Sequence, residues 1–322
     1  PEAAHHLTLK SLAMIEKLGP LNPLRQSASG RSVELMGLSF PNPVGLAAGL
    51  DKDGACMAGL AALGFGAIEV GTVTPKPQPG NPPPRLFRVV EAEGIINRMG
   101  FNNEGVDTLL ERVAQSSYRG ILGINIGKNK DTPVEAALDD YSIGLRKVYG
   151  VASYVTINIS SPNTPGLRSL QSGDQLDILL SGLMQERKAL MEKTGRSVPI
   201  AVKIAPDLDL EELERIADAL IRYKFDAVIA TNTTLSRDGV AHLVYGNESG
   251  GLSGRPVFAR STRMVEDLSR LLKDRLPIIA CGGILGLEDA QKKLDAGASL
   301  VQVYSGLIYR GPHLIRELVE GL

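Results

Sequence analysis

The sequence predicts the α/β class: a closed (β/α)8 TIM barrel with an N-terminal helical extension and a β-hairpin flap. Two observations carry this. Eight short apolar runs rich in β-branched residues recur along the chain, and segments with helical spacing separate them. Alternating strands and helices imply parallel pairing, and eight such units close a barrel. The open doubly wound sheet is the alternative. It would normally carry a GxGxxG turn after its first strand, which Gly45-Leu-Ala-Ala-Gly49 does not match.

In chain order, the segment from Ala4 to Leu18 has apolar residues at three-to-four spacing (Leu9/Leu12, Leu12/Ile15, Met14/Leu18) and few charges, giving a helix with an unusually apolar face. Residues 1–24 are read as this helical segment and 32–322 as the barrel. The expected strands are Val44 to Ala47, Ala67 to Val70, Leu122 to Ile126, Tyr154 to Ile159, Ile200 to Ile204, Ala227 to Ala230, Ile278 to Ala280 and Leu300 to Val303. Helices are expected from Val134 to Tyr149, Asp174 to Lys193, Leu210 to Lys224, Ser261 to Leu272 and Leu287 to Ala296. Two insertions interrupt the repeat. The proline-rich stretch from Pro75 to Pro84 excludes helix and central strand, and the runs Leu86 to Val90 and Ile95 to Asn97 read as a hairpin flap over the barrel mouth. The second, Leu235 to Gly254, is polar and Gly-rich and is expected to be a mobile loop.

With 322 residues and 43% hydrophobic content, the chain can bury a large core. A net charge of −1 gives no basic field for nucleic acid. Cys56 and Cys281 form no CxxC pair, and His5, His6, His242 and His313 have no ligand spacing, so metal, cluster and disulfide frameworks are not expected. No apolar run approaches the ~18 residues of a membrane span and no secretory pattern is present, which points to a reducing, cytosol-facing location. The start at Pro1, without a methionine, leaves room for residues upstream.

Functional groups of such barrels lie at the carboxyl ends of the strands. There the loop Asn158-Ile-Ser-Ser161-Pro-Asn163-Thr164-Pro-Gly crowds uncharged polar groups onto a strand tip, where a planar polar ligand would pair them. Strand alternation turns Lys203 inward, so it should meet either an anionic ligand such as a reduced flavin or an inward acid such as Glu69. Cys281-Gly282-Gly283 and Tyr304-Ser305-Gly306, after the seventh and eighth strands, expose backbone N–H groups where this fold grips phosphate, and Ser253-Gly254 adds to them. Ala47-Ala48-Gly49 allows a flat ring close to the backbone; Lys52 beyond it is either a functional cation or a solvated loop lysine. Asn97, Asn125, Asn158, Asn163 and Asn232, with Thr231 and Thr233, suit a ring of alternating C=O and N–H groups such as a pyrimidine.

Five motifs in order, Gly45-Leu-Ala-Ala-Gly-Leu-Asp-Lys52, Gly71-Thr-Val-Thr-Pro-Lys-Pro-Gln-Pro-Gly, Asn97-Arg-Met-Gly-Phe-Asn102, Asn158-Ile-Ser-Ser-Pro-Asn-Thr-Pro-Gly-Leu and Gly250-Gly-Leu-Ser-Gly254, closely resemble the quinone-dependent, membrane-associated class of dihydroorotate dehydrogenases, bacterial in type. The resemblance runs over essentially the whole chain. It implies FMN-dependent oxidation of dihydroorotate to orotate in pyrimidine biosynthesis, with ubiquinone or menaquinone as acceptor. Ser161 is then similar to the base that takes the C5 proton while hydride leaves C6 for flavin N5, and Thr164 with Phe101 to the relay that carries the proton away. The implied substrate shell is Lys52, Asn97, Arg98, Met99, Gly100, Phe101, Asn158, Asn163, Asn232 and Thr233. The implied FMN contacts are Ala48, Gly49, Leu50, Lys52, Thr72, Asn125, Asn158, Lys203, Thr231, Gly254, Gly283, Tyr304 and Ser305. His5, Arg88 and Tyr304 are similar to quinone-tunnel positions, and the apolar N-terminal helix to a segment that lies on membrane lipid at the cytoplasmic face of the inner membrane.

Soluble classes of the same family carry cysteine where Ser161 stands, which favours the quinone class. A barrel that only binds a phosphorylated ligand would need no more than the Gly-rich strand ends. A flavin enzyme acting on RNA uracils is disfavoured by the near-zero charge.

Overall fold

The structure, a computed structural model, describes residues 1–17, 21–26 and 29–322. Helix α1 (Glu2–Glu16) begins two residues before its expected start; the expected end at Leu18 lies outside the described residues. A hairpin of β1 (Val33–Leu35) and β2 (Leu38–Phe40) precedes the barrel. The barrel strands are β3 (Val44–Leu46), β4 (Ala67–Val73), β7 (Ile121–Ile126), β8 (Tyr154–Asn158), β9 (Ile200–Ile204), β10 (Ala227–Ala230), β12 (Ile278–Cys281) and β13 (Leu300–Val303). They close in that order, every pair parallel, with β13 against β3.

Alternation along each strand sorts its side chains. On β9, Ile200, Val202 and Ile204 join the layer under the helices while Ala201 packs in the barrel lumen, so Lys203 also turns inward. The same rule turns Glu69, Asn125, Thr156, Asn158 and Gln302 inward, between outward-facing Ile and Val neighbours. Phe40, Ala67, Ala227, Ile229, Ile279 and Leu300 fill the lower lumen, with Leu35 and Leu38 of the hairpin packed against them. The lumen is thus closed below by hydrocarbon and polar above.

Outside lie α2 (Met57–Ala61), α3 (Val106–Gln115), α4 (Ala137–Val148, led by a 3-10 turn), α5 (Gly173–Thr194), α6 (Leu210–Arg222), α7 (Phe258–Leu272), α8 (Leu287–Asp295), α9 (Ser305–Arg310) and α10 (His313–Gly321). Helix α6 has a complete capping box, Asp209 accepting from the Glu212 N–H and Glu212 from the Asp209 N–H, a motif worth about 1 kcal/mol. Helices α2, α3, α9 and α10 and the β1–β2 hairpin are absent from the sequence expectations; α2 and α9 are only five and six residues long, whereas α3 and α10 are amphipathic and no shorter than the expected α8.

The flap forms as expected, from β5 (Leu86–Val89) and β6 (Gly94–Asn97). One expectation is corrected: residues 235–254 are not a free loop throughout. Their end, β11 (Gly251–Gly254), pairs antiparallel with β6 and makes the flap three-stranded. Arg237 ties the preceding turns by donating to the carbonyls of Glu248 and Gly250. No β-branched residue marks Gly251-Leu-Ser-Gly254, because close packing excludes a side chain there; a Cβ on Gly251 would collide with Thr233 Oγ1.

Candidate active site

The carboxyl ends of the barrel strands and the flap line a cavity that opens to solvent, with room of about 140 Å³ for the centres of water-sized spheres. Ala48, Gly49 and Lys52 come from the first strand end, Thr72 from the second, Asn158, Ser161 and Asn163 from the fourth, and Lys203 from the fifth. Thr231, Asn232 and Thr233 follow β10, Gly283 follows β12, and Tyr304 and Ser305 follow β13. The flap contributes Asn97, Met99, Gly100, Phe101 and Gly254.

Six expected site residues do not line the cavity. Leu50 is buried behind it. Arg98 turns outward to pair with Glu248 at 2.7 Å and stack on Phe87, because the β6 register points Asn97 inward and its neighbour away. Asn125, a link in the hydrogen-bond chain of the cavity floor, and Thr164, on the Ser161 loop, are both buried without lining the cavity. Arg88 is exposed near the Tyr309 ring. His5 lies on α1 near Leu50 and Lys52; burial, with the Lys52 cation adding, lowers it to about 4, so it is neutral at pH 7.

The floor is a hydrogen-bond chain whose polarity is set at its root. Glu69, fully buried, accepts from Asn125 Nδ2 (2.8 Å), the Tyr154 hydroxyl (2.9 Å) and Gln302 Nε2 (2.7 Å). A carboxylate only accepts, so Asn125 must present its oxygen to Thr72, whose hydroxyl donates at 2.6 Å. The Thr72 oxygen then accepts from Asn158 Nδ2 (2.8 Å), and Asn158 Oδ1 accepts from the Ser160 hydroxyl (3.0 Å) and Asn232 Nδ2 (3.3 Å). Glu69 and Lys203 do not pair. Among the described residues Lys203 makes no hydrogen bond or ion pair, although it is 5% exposed and faces the cavity. Of the two partners the sequence left open for Lys203, Glu69 is eliminated.

Lys52 donates to the Gly49 carbonyl at 2.9 Å, and burial lowers its ammonium to about 8. Ser161 Oγ accepts from the Asn163 N–H at 3.3 Å, and no histidine or carboxylate hydrogen-bonds to it among the described residues. Thr164 Oγ1, Thr233 Oγ1 and Gln302 Oε1 are buried without partners. On the far side Gly282 and Gly283 have φ of +119° and +79°, and a Cβ on Gly283 would lie 2.5 Å from Phe258. This leaves a side-chain-free cradle of backbone, flanked by the Ser253–Ser305 hydroxyl pair at 2.8 Å.

A buried lysine (Lys203), a half-buried one (Lys52), a glycine cradle and a ring of amides make the cavity a receptor for an anionic, planar, hydrogen-bonding ligand, with a second anion held in the cradle. The family model described as dihydroorotate dehydrogenase matches residues 31–322. The chain belongs to the dihydroorotate dehydrogenase family. It is 62% identical over 318 residues to a protein named dihydroorotate dehydrogenase (quinone) from Methylococcus capsulatus, covering 99% of this chain and 94% of that one. A protein of the same name from Thiobacillus denitrificans is 62% identical over 321 residues, covering 100% and 95%. Among solved structures, the Eimeria tenella DHODH in complex with ferulenol aligns with a TM-score of 0.91 at 40% identity, covering 99% of this chain and 89% of that one. The family is one of oxidoreductases with a flavin cofactor, and the chain is an enzyme of that class.

Val257, Ile284, Gln302 and Val303 line the cavity without having been expected there, whereas Ser253, Cys281, Gly282 and Gly306 belong to the turns expected to grip phosphate. Gln302 carried a usable signal: a polar residue at an inward position of Leu300-Val-Gln-Val303.

Proposed function

We propose that this chain oxidises dihydroorotate to orotate with bound FMN and passes the electrons to a membrane quinone, in pyrimidine biosynthesis. The observation that carries the reading is the convergence of Lys52, Ser161, Lys203 and the Gly282-Gly283 turn on one cavity. The residues present fit FMN. The unpaired Lys203 suits the negative pyrimidine end of a reduced flavin, Gly254, Gly283 and Ser305 its phosphate, and Ala48, Gly49 and Thr72 an edge of the ring, over the floor that Asn125 supports. When bound, FMN supplies the hydride acceptor.

The rest is the work of this chain's side chains. Lys52 holds the substrate carboxylate; Asn97, Asn158, Asn163, Asn232 and Thr233 match the donors and acceptors of the ring. Ser161 Oγ takes the C5 proton. A serine hydroxyl is a poor base near neutral pH, so its own proton must leave as the new one arrives. Thr164 Oγ1, buried without a partner, is suited to take that proton while its own hydroxyl proton passes on to solvent, with Phe101 beside this path in the cavity lining. Exclusion of water by the flap strengthens each of these electrostatic contacts.

Residues 1–24 form the quinone- and lipid-facing part and 32–322 the catalytic barrel in this reading. Leu7 and Met14 of α1 are 67% and 65% exposed, an apolar surface suited to lie on lipid at the cytoplasmic face of the inner membrane. No helix among the described residues is long and apolar enough to cross a membrane. His5, Arg88 and Tyr304 are the proposed quinone-path residues. An acceptor assay tests the reading: a ubiquinone analogue should be reduced rapidly and fumarate little, and the reverse preference would overturn the quinone assignment.

A further inference from the structure

Arg168 does not line the cavity, yet its guanidinium joins two of the loops that line it to the loop after β9. Its Nε donates to the Ser160 carbonyl at 3.0 Å, one terminal nitrogen to the Thr233 carbonyl at 2.8 Å, and the other to Asp207 Oδ2 at 2.8 Å. The Ser160 carbonyl belongs to the peptide whose nitrogen is that of Ser161. Arg168 therefore closes residues 160–168, the segment that bears Ser161, Asn163 and Thr164, on itself. Asp207, in the loop after β9, also accepts from the Thr234 hydroxyl and the Leu235 N–H. The ends of β8, β9 and β10 are thus locked to one another through a planar fork whose geometry a lysine cannot copy.

We propose that Arg168 is a positioning residue for the reaction: it fixes the Ser161 peptide against the Thr233 loop, so that the serine oxygen and the amides that hold the heterocycle face the same ligand in register. The proposal rests on the dihydroorotate-oxidising reading above. Asn158, by contrast, is held from below by the Glu69 chain and by the Tyr141 hydroxyl on its carbonyl (2.6 Å), neither of which involves Arg168. Loss of the guanidinium should therefore leave the flavin floor and the Gly282-Gly283 cradle intact and misplace only the serine side of the site.

The test uses the FMN-loaded protein. Arg168→Ala should bind FMN stoichiometrically and unfold cooperatively at a lower urea midpoint, since the Ser160 and Thr233 carbonyls and Asp207 all lose a donor. Its flavin should be bleached by dihydroorotate, mixed anaerobically, roughly 100-fold more slowly, the penalty expected for ångström-scale misplacement of a reacting group. Guanidinium ion at concentrations well below denaturing ones should restore much of that rate in Arg168→Ala and none in Ser161→Ala, and orotate should bind the rescued variant more tightly. Arg168→Lys, which keeps the charge opposite Asp207 but cannot reach both carbonyls, keeps the test available if the alanine variant does not fold, and should also be slow. Bleaching of either variant at the parent's rate would overturn the proposal, as would a slow alanine variant that guanidinium does not rescue. A parent that dihydroorotate does not bleach would instead sink the functional reading, which keeps the two failures apart.

Discussion

Replacing Glu69 tests whether one buried carboxylate organises the cavity floor. In Glu69→Leu, Asn125 Nδ2, the Tyr154 hydroxyl and Gln302 Nε2 all lose their acceptor, and all three side chains are buried. An orphaned buried donor costs about 1 to 3 kcal/mol, so the three together cost about 3 to 9 kcal/mol. Gln302 keeps a weak contact to the Tyr154 oxygen at 3.4 Å, which favours the lower half of that range. Even so, the loss is comparable with the whole stability of a typical domain, about 5 to 15 kcal/mol. Glu69→Gln keeps one acceptor oxygen but turns an amide N–H toward a donor, and should cost about 1 to 3 kcal/mol. It also removes the acceptor-only group that forces Asn125, Thr72 and Asn158 into one sense, so orotate should bind more weakly than stability alone explains. Urea unfolding of the FMN-free proteins, followed by far-UV circular dichroism, reads the first effect and orotate titration of the FMN-loaded glutamine variant the second. If the leucine variant unfolds within about 1 kcal/mol of the parent, the carboxylate is not the root of the network.

Ser161→Ala should keep FMN and bind orotate yet lose most turnover in a steady-state quinone assay; near-normal turnover would remove the serine from the mechanism. Gly283→Val should abolish FMN retention on gel filtration, since its φ of +79° and the backbone of Phe258 leave no room for a side chain, and a yellow, stoichiometric variant would contradict the cradle. Lys203→Met should weaken FMN binding about 10- to 100-fold, the loss of one charge-assisted hydrogen bond, measured by flavin fluorescence; unchanged affinity would free Lys203 from the cofactor. Burial holds Lys52 at about 8, below its usual 10.5, so it is charged beneath that pH and neutral above it. Orotate affinity should accordingly be flat below about pH 8 and fall about tenfold per unit above it, a dependence that isothermal titration should find absent from Lys52→Met.

All eight barrel strands were legible because each needs an apolar outward face and ends in a turn, a pattern local to five or six residues. The inward lysine at position 203 was legible for the same reason: alternation is a property of the strand itself. What the sequence hid depends on partners distant along the chain. Nothing near Gly251-Leu-Ser-Gly254 announces a strand, because its pairing comes from β6, more than 150 residues earlier. Arg98 sits in a motif beside true cavity residues, yet the register of β6 sends it to Glu248. Glu69 was visible as an inward acid, but its three donors come from three different strands, so its role as their common acceptor rather than as a partner for Lys203 required the closed barrel.

The most direct measurement is a crystal structure of the protein with FMN and orotate bound. Both ligands should occupy the strand-end cavity, with the FMN phosphate against Gly283 and Ser305, Lys203 on the flavin ring, and Ser161 Oγ facing orotate C5. Orotate stacked away from Ser161, or FMN outside this cavity, would contradict this arrangement.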